Sequence, residues 1–493
     1  MNGCSVTDTR QENTQLLLAG GTVDSGGSGR QAAKNIILII GDGMQLEHER
    51  AAGNYLFGNY SSGLAFHRFP YKGQSSTWDV TTYNKYAKAA RKAAWDASRS
   101  NADDTNTFEK TIGYDPAKGG KLPYPLDMTG DATYLNTAAT DSASAGTALA
   151  TGYKTDDGNI AWKPGDPENG RLLTIAEMFR NQKNGAIGVV STVPFSHATP
   201  ASFVSHNKHR RNYKEIAHEI IYVIKPDVVI GGGHPSYDTR FMSSVDYTVL
   251  MVSSGYVLAE RQTAVDGNST IAAKAAEAVA KDKKLFGLFG NSKGQFDYPV
   301  PSNTPGSPSV VRGNVENTSL AEASKAALKV LSRNRHGFFL IVEQGDIDWA
   351  NHANDFKSMI GGVYDLNETV RSIENFINQP GDDIDWSNTM MIVTSDHGNG
   401  YMRINGAKPL KKGELPRQVA TGFNKPGFIY PDGEVSYGSG AHTNELTRIY
   451  AKGAGSNLLR SYEGSWYTGT RIIDNTQIFK AMMTFLGLLD QNK

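Results

Sequence analysis

The chain holds a single cysteine, Cys4, among 493 residues. No intrachain disulfide is possible, and a zinc site built of thiolates is excluded. Any bound metal must be held by histidines and carboxylates. Net charge is also missing, because 50 Lys and Arg balance 50 Asp and Glu. Nothing in that balance marks a nucleic-acid partner or a charge-driven membrane surface. An anionic ligand would have to be held by local cations. No apolar run approaches the ~18–20 residues that a membrane span needs, and mean hydropathy is −0.43.

The length suffices for a large core, and α/β enzymes of this size often form one domain with insertions. Residues 1–33 are polar and rich in Gly and Ser, which reads as a linker or disordered tail. Cys4 within it marks either the mature end of a lipoprotein or an incidental cysteine. Residues 34–493 then form one domain. Glycine is plentiful at 52 residues, above the usual ~7%, which permits flexible loops.

Five apolar runs of strand length end abruptly in polar residues or glycine. They cover residues 35–40, 186–193, 227–230, 338–342 and 390–394. Near-continuous Ile, Val and Leu is the pattern of strands buried on both faces. Helical patterns lie between them, at 173–181, 320–333, 358–377 and 473–489. Strand alternating with helix predicts a mostly parallel sheet covered on both sides. Three stretches break the alternation. Residues 79–135 read as a surface insertion, helical around 86–98. Residues 287–317 read as loop. Residues 399–440 read as a loop-rich roof over the site.

Ligands of open α/β sheets bind outside the C-terminal strand ends. Asp42, His197, Glu343, Asp396 and His397 all follow a predicted strand directly. Asp348 and His352 stand four apart, so one helical turn would let both grip one ion. Taken alone, that stretch also reads as an acidic loop leading into a helix. Asp396-His397-Gly398 offers two adjacent ligands, or merely a turn after a strand. His442 is a weak signal alone. Histidine and carboxylate without thiolate suit a catalytic zinc site.

Ser142, in Thr140-Asp141-Ser142-Ala143, is the candidate nucleophile. A serine hydroxyl needs a general base or a metal to become one. No Gly-x-Ser-x-Gly elbow surrounds it. A helix beginning near Ser142 would add N–H groups for an anion, although Asp141 could simply cap a small-residue helix. Arg210 lies in the basic run Lys208-His209-Arg210-Arg211. It offers a planar fork for two phosphate oxygens, unless the run is only a solvated patch.

These motifs, in this order from residue 35 to about 490, resemble those of bacterial alkaline phosphatases. The matching pieces are Gly41-Asp42-Gly43-Met44, the Ser142 motif, His197-x-Thr199-Pro200, Arg210, Glu343-x₄-Asp348-x₃-His352, Asp396-His397-Gly398 and Gly440-x-His442. The resemblance implies a three-layer αβα sandwich, usually a homodimer in the periplasm or outside the cell. It implies hydrolysis of phosphate monoesters through a phosphoserine. Asp348, His352 and His442 would hold one zinc, and Asp42, Asp396, His397 and Ser142 a second. Asp42, Thr199 and Glu343 would hold magnesium, and Arg210 would grip phosphate. His197 stands where some members carry Asp, and Trp349 where some carry Lys. That pair resembles a cold-active marine subset. It makes His197 a possible neighbour of the third metal and Trp349 a substrate-binding residue. Rival readings are a phosphodiesterase or sulfatase of the same superfamily, or a non-catalytic metal- or phosphate-binding protein.

Overall fold

The run at 35–40 becomes β1 (Asn35–Gly41), and every residue of it is buried. Ile36, Leu38 and Ile40 enter one apolar cluster, while Ile37 and Ile39 enter another on the opposite face. A strand buried on both sides cannot alternate with polar residues, which is why the run is continuous. The protein is described by a computed structural model covering residues 33–89, 113–114, 132–136, 139–253, 255–381, 383–422 and 427–492. The expected tail lies outside these residues save Ala33, as does most of the 79–135 insertion.

The main sheet has ten strands. After β1 come β2 (Tyr71–Ser76), β3 (Ala186–Pro194), β4 (Val228–Gly232), β5 (Tyr256–Glu260) and β6 (Lys284–Leu288). They are followed by β7 (Phe338–Gln344), β8 (Thr389–Thr394), β9 (Thr447–Gly453) and β10 (Ile472–Asp474). Their spatial order is β10-β2-β9-β8-β1-β7-β3-β4-β6-β5. Within this sheet β9 alone runs against the rest, pairing antiparallel with both β8 and β2.

Helices cover both faces. On the Ile37 side lie α1 (Leu46–Phe57), α6 (Gly267–Ala280), α7 (Leu320–Leu331), α8 (Asp346–His352) and α9 (Phe356–Ile377). On the Ile36 side lie α3 (Ser142–Thr151), α4 (Ile175–Lys183), α5 (Tyr213–Glu219) and α10 (Asn475–Leu486). The expected three-layer α/β sandwich is thus the observed one. α9 shows why: Met359, Ile360, Val363, Leu366, Val370, Ile373 and Ile377 recur every three or four residues and are all buried. Its start is set by Asp355, whose carboxylate accepts the Ser358 N–H at 3.1 Å. Truncating one such side chain, as in Leu366→Ala, costs about 2–5 kcal/mol.

Several boundaries differ from the sequence pattern. The helix expected over 473–489 begins only at Asn475, because Asp474 caps it and Ile472 and Ile473 pair with β2. α4 starts after Thr174, which forms a capping box with Glu177. β2 and β9 carry too many polar residues to stand out, yet the sheet extends onto them. Residues 287–317 are mostly loop, with one short ladder of Val300–Pro301 on Val310–Val311. The insertion begins as α2 (Val80–Ala89), earlier than the expected 86. Trp78, Val80, Tyr83 and Ala87 anchor it among Tyr114, Tyr134, Trp466 and Tyr467. Between 398 and 443 three small ladders form: Gly398–Asn399 on His442–Thr443, Met402–Ile404 on Val435–Tyr437, and Val419–Ala420 on Phe428–Ile429.

Register then fixes the chemistry. Ile40 lies beside Thr394 on one side and Glu343 on the other, and Glu343 lies beside Ser191. The residues that follow β1, β7, β8 and β3 therefore emerge together at one sheet edge.

Candidate active site

Asp42 follows β1, and Asp396 and His397 follow β8. All three are at most 1% exposed, and they offer ligand atoms within 4.8 Å of one another. His397 Nε2 lies 3.0 Å from Ser142 Oγ, 3.2 Å from Asp396 Oδ2 and 3.4 Å from Asp42 Oδ1. Its Nδ1 sits 3.3 Å from the Gly398 carbonyl and donates there, so the Nε2 lone pair faces the carboxylates. In a Ser-His-Asp triad the carboxylate takes the ring nitrogen opposite the serine. Here both carboxylates crowd the same nitrogen as the serine. Asp42 Oδ1 and Asp396 Oδ2 have no hydrogen-bond partner. Lone pairs converging on one point, with a single hydroxyl proton among them, form the donor set of a cation.

A second group repeats the pattern. α8 places Asp348 and His352 one turn apart, with His352 Nε2 at 3.2 Å from Asp348 Oδ2. His442 Nε2 lies 3.2 Å from His352 Nε2 and 3.5 Å from Asp348 Oδ1. Both imidazoles donate Nδ1–H outward, to the Gly440 and Thr140 carbonyls, each at 2.8 Å. Those outer bonds fix the tautomer and aim both Nε2 atoms inward. The two groups touch, for the His397 and His442 rings stack at 3.6 Å.

Beside Asp42 lies an all-oxygen corner. Thr199 Oγ1 donates to Asp42 Oδ2 at 3.3 Å. Ser191 donates to Glu343 Oε2, and Glu343 Oε1 has no partner. His197, expected as a possible neighbour of a third metal, places Nε2 3.4 Å from Arg210 Nη2. It stacks on Tyr213 and meets Trp349 edge-on at 5.5 Å, and its buried Nδ1 has no partner.

Ser142 is the first residue of α3, and Asp141 is its N-cap, accepting the Ser144 N–H at 2.9 Å. The other Asp141 oxygen accepts Arg210 Nη1 at 2.8 Å. One carboxylate thus sets both the helix start and the guanidinium. A cleft of about 450 Å³, lined by Asp141, Asp157, Gly158, Arg210, Arg211 and Tyr213, opens beside them.

The electrostatics follow from burial without counter-ions. Burial, then Asp396, Asp348 and Glu343, holds Asp42 far above the usual carboxylate range. Burial and Asp348 push Asp396 up to about 6, and burial pushes Glu343 up to about 7. Burial lowers His397 and His442 to about 4, so both are neutral near pH 7 and could offer a lone pair to a metal. Asp348 is opposite: His352 and His442 outweigh burial and hold it down. Stacked carboxylates that resist ionising are what a divalent cation would relieve.

A family model for alkaline phosphatases matches residues 124–425. The chain belongs to the alkaline phosphatase family. Alkaline phosphatase 4 of Bacillus subtilis strain 168 is 30% identical over 276 residues, 55% of this chain and 52% of that protein. The chain thus spans about half the length of that relative. The alkaline phosphatase of Escherichia coli K12 is 27% identical over 498 residues, 92% of this chain and 86% of the relative. A cold-active alkaline phosphatase from the psychrophile Shewanella sp. shares the fold, with a TM-score of 0.58 at 20% identity over 92% of this chain and 99% of that one.

Within this alkaline phosphatase fold, further residues support the site to which the sequence reading gave no role. Asn399 donates Nδ2 to Asp348 Oδ1 at 2.6 Å and to its carbonyl at 3.2 Å. Gly43 donates its N–H to Asp396 Oδ1 at 3.1 Å. Its φ is +68°, and a Cβ would meet Asp348 Cα at 2.9 Å, so only glycine fits. Asp79 accepts Ser144 Oγ at 2.9 Å. The one available signal was adjacency, since Asn399 and Gly43 flank predicted ligands.

Proposed function

We propose that the protein is a metal-dependent phosphomonoesterase, an alkaline phosphatase in activity as in family. The observation that carries this reading is the convergence of Ser142 Oγ and the Asp42 and Asp396 carboxylates on His397 Nε2. The mixed nitrogen and oxygen donors fit two zinc ions. Asp348, His352 and His442 would hold the first. Asp42, Asp396, His397 and the Ser142 oxygen would hold the second. The oxygens of Asp42, Thr199 and Glu343 fit magnesium, which prefers hard ligands. When bound, these ions supply Lewis-acid charge that favours ionised oxygen over hydroxyl and neutralises phosphate.

The chain's own groups then do the following. Arg210, aimed by Asp141, takes two oxygens of the phosphoryl group through its planar fork. The N–H groups that open α3 face the same anion. Ser142 Oγ attacks phosphorus in line. Ser142 gives up its proton to water as the Oγ–P bond forms and the ester P–O bond breaks, and the departing oxygen takes a proton back from water and leaves as alcohol. Water then attacks the phosphoserine, restoring the Ser142 hydroxyl and releasing inorganic phosphate. Trp349 stands edge-on to His197 beside Arg210 and carries no charge. Product phosphate therefore leaves sooner than it would from a site with a lysine there.

The family pattern supports a homodimer in the periplasm or outside the cell. Among the described residues no helix is long and apolar enough to cross a membrane. The decisive experiment compares hydrolysis of p-nitrophenyl phosphate with that of the bis ester, with and without chelator. Chelator-sensitive monoester hydrolysis far above diester hydrolysis is the expected result. A preference for the diester, or full activity without metal, would overturn the reading.

A further inference from the structure

Arg210 sits in a loop, residues 202–212, between the short helix Ala198–Ala201 and α5. Only its side chain meets Asp141; the loop backbone must be held elsewhere. Two backbone pairings help. Ile160 and Asn207 exchange hydrogen bonds at 2.9 Å, and the Arg210 N–H donates to the Gly158 carbonyl at 2.8 Å. The third hold is His206. Its side chain is only 2% exposed. Nδ1 lies 2.8 Å from Glu219 Oε1, at the end of α5, and Nε2 lies 3.0 Å from Glu177 Oε2, on α4.

A neutral imidazole donates from one nitrogen and presents a lone pair at the other. Here both nitrogens face carboxylate oxygens, so a neutral ring would set a lone pair against an anion. The charged ring donates Nδ1–H to Glu219 and holds its Nε2–H in an ion pair with Glu177. The two carboxylates are themselves committed. Glu219 Oε2 accepts the His206 N–H and Ser205 Oγ, each at 2.7 Å. Glu177 Oε2 accepts the Thr174 N–H at 2.9 Å, in the box that starts α4. Arg171 completes the group, at 2.6 Å from Glu177 Oε1 and 4.0 Å from Glu219 Oε1. Two acids and two cations thus join α4, α5 and the Arg210 loop.

We propose that His206, held as a cation between Glu177 and Glu219, is a positioning residue that fixes the loop presenting Arg210 to phosphate. Neutralising His206 leaves one buried and one partly buried carboxylate sharing one half-exposed arginine. Their repulsion is relieved by moving α4 from α5, and the loop between them shifts with it. A small displacement of a bidentate clamp is costly, because both hydrogen bonds depend on its plane.

This inference rests on Arg210 being the phosphate ligand, and the test separates the two. Inorganic phosphate is the probe, read as a competitive inhibitor of p-nitrophenyl phosphate hydrolysis by the metal-loaded enzyme. His206→Gln is expected to weaken phosphate inhibition and raise KM by about tenfold, with kcat changed less and zinc content unaltered. His206→Gln with Glu219→Gln restores charge balance and should recover most of that loss. Arg210→Ala is the control. If it leaves phosphate inhibition unchanged, the reading of Arg210 fails. If it weakens inhibition while His206→Gln does not, the role of His206 fails alone. Should His206→Gln not fold, Glu219→Gln alone decides. Weaker phosphate inhibition with zinc retained supports the proposal, and unchanged inhibition overturns it.

Discussion

His397 shows how much one side chain can decide. Its Nε2 meets the serine and two carboxylates, while its Nδ1 is tied to a backbone carbonyl. That orientation does not suit a triad, and it supports the proposal that Ser142 is a metal-assisted nucleophile. Ser142→Ala should remove the phosphoenzyme trapped at low pH and lower kcat by about 10³-fold or more, with zinc still bound. Phosphate trapped at the same position in the variant would eliminate Ser142. Asn399 acts one layer further out. By holding Asp348 Oδ1 it leaves Oδ2 for His352 and a metal. Asn399→Ala should weaken zinc binding about 10–100-fold, measured by competition with a chromophoric chelator; an unchanged affinity would reduce Asn399 to packing. His197, with its unpartnered Nδ1, would bear on the proposed third metal. A nitrogen donor favours zinc over magnesium, so His197→Asp should tighten magnesium binding in titrations at fixed zinc. Equal affinities in both proteins would detach His197 from that site.

At the scale of elements, strand ends and helix starts carry the site. Asp42 leaves β1, Glu343 is the penultimate residue of β7, Asp396 follows β8, and Ser142 opens α3. The α4–α5 clamp adds a pH dependence. Burial opposes a charge on His206, but its contacts with the Glu177 and Glu219 carboxylates outweigh it and raise its pKa above 6.5. Its stabilisation is therefore complete below 6.5 and lost as pH rises through the higher folded value. Glu177 is drawn down to about 2, burial notwithstanding, chiefly by its bond to His206. Its contribution is present above the ordinary 4.5 and lost as pH falls toward that lower value. The gap in Tm between wild type and His206→Gln should thus be widest near about pH 5–6 and shrink at alkaline pH. A gap that grows with pH would mean that the buried ring is neutral. The strands at 35–40, 338–342 and 390–394 were legible because a doubly buried strand must be apolar throughout. β2 and β9 were not, because they join the sheet through register with neighbours.

For the whole molecule, candidate ligands from β1, β7, α8, β8 and the ladder at His442–Thr443 meet at one sheet edge. They leave buried acceptors unpaired, among them Asp42 Oδ1, Glu343 Oε1 and Asp396 Oδ2. Ions that fill the site bind the folded state alone, so they stabilise it by mass action. Exhaustive chelation should abolish activity and lower Tm. At zinc 100-fold above its Kd the stabilisation is about 2.7 kcal/mol, and zinc with magnesium should restore both properties. Full activity with no metal by elemental analysis would defeat the mechanism.

What the sequence determined by itself was the alternation of strand and helix and the types of ligand available. One cysteine and clustered His, Asp and Glu left little else for a metal to use. It also placed most of those residues just past strand ends, because polar groups end a doubly buried strand. Tertiary structure alone decided which nitrogen of His352 and His442 faces inward, since distant carbonyls at Gly440 and Thr140 set that. It also brought Asn399 to Asp348 and seated His206 between Glu177 and Glu219. Such contacts depend on register and helix docking, and those are settled by packing summed over the whole core, not by neighbours in the chain.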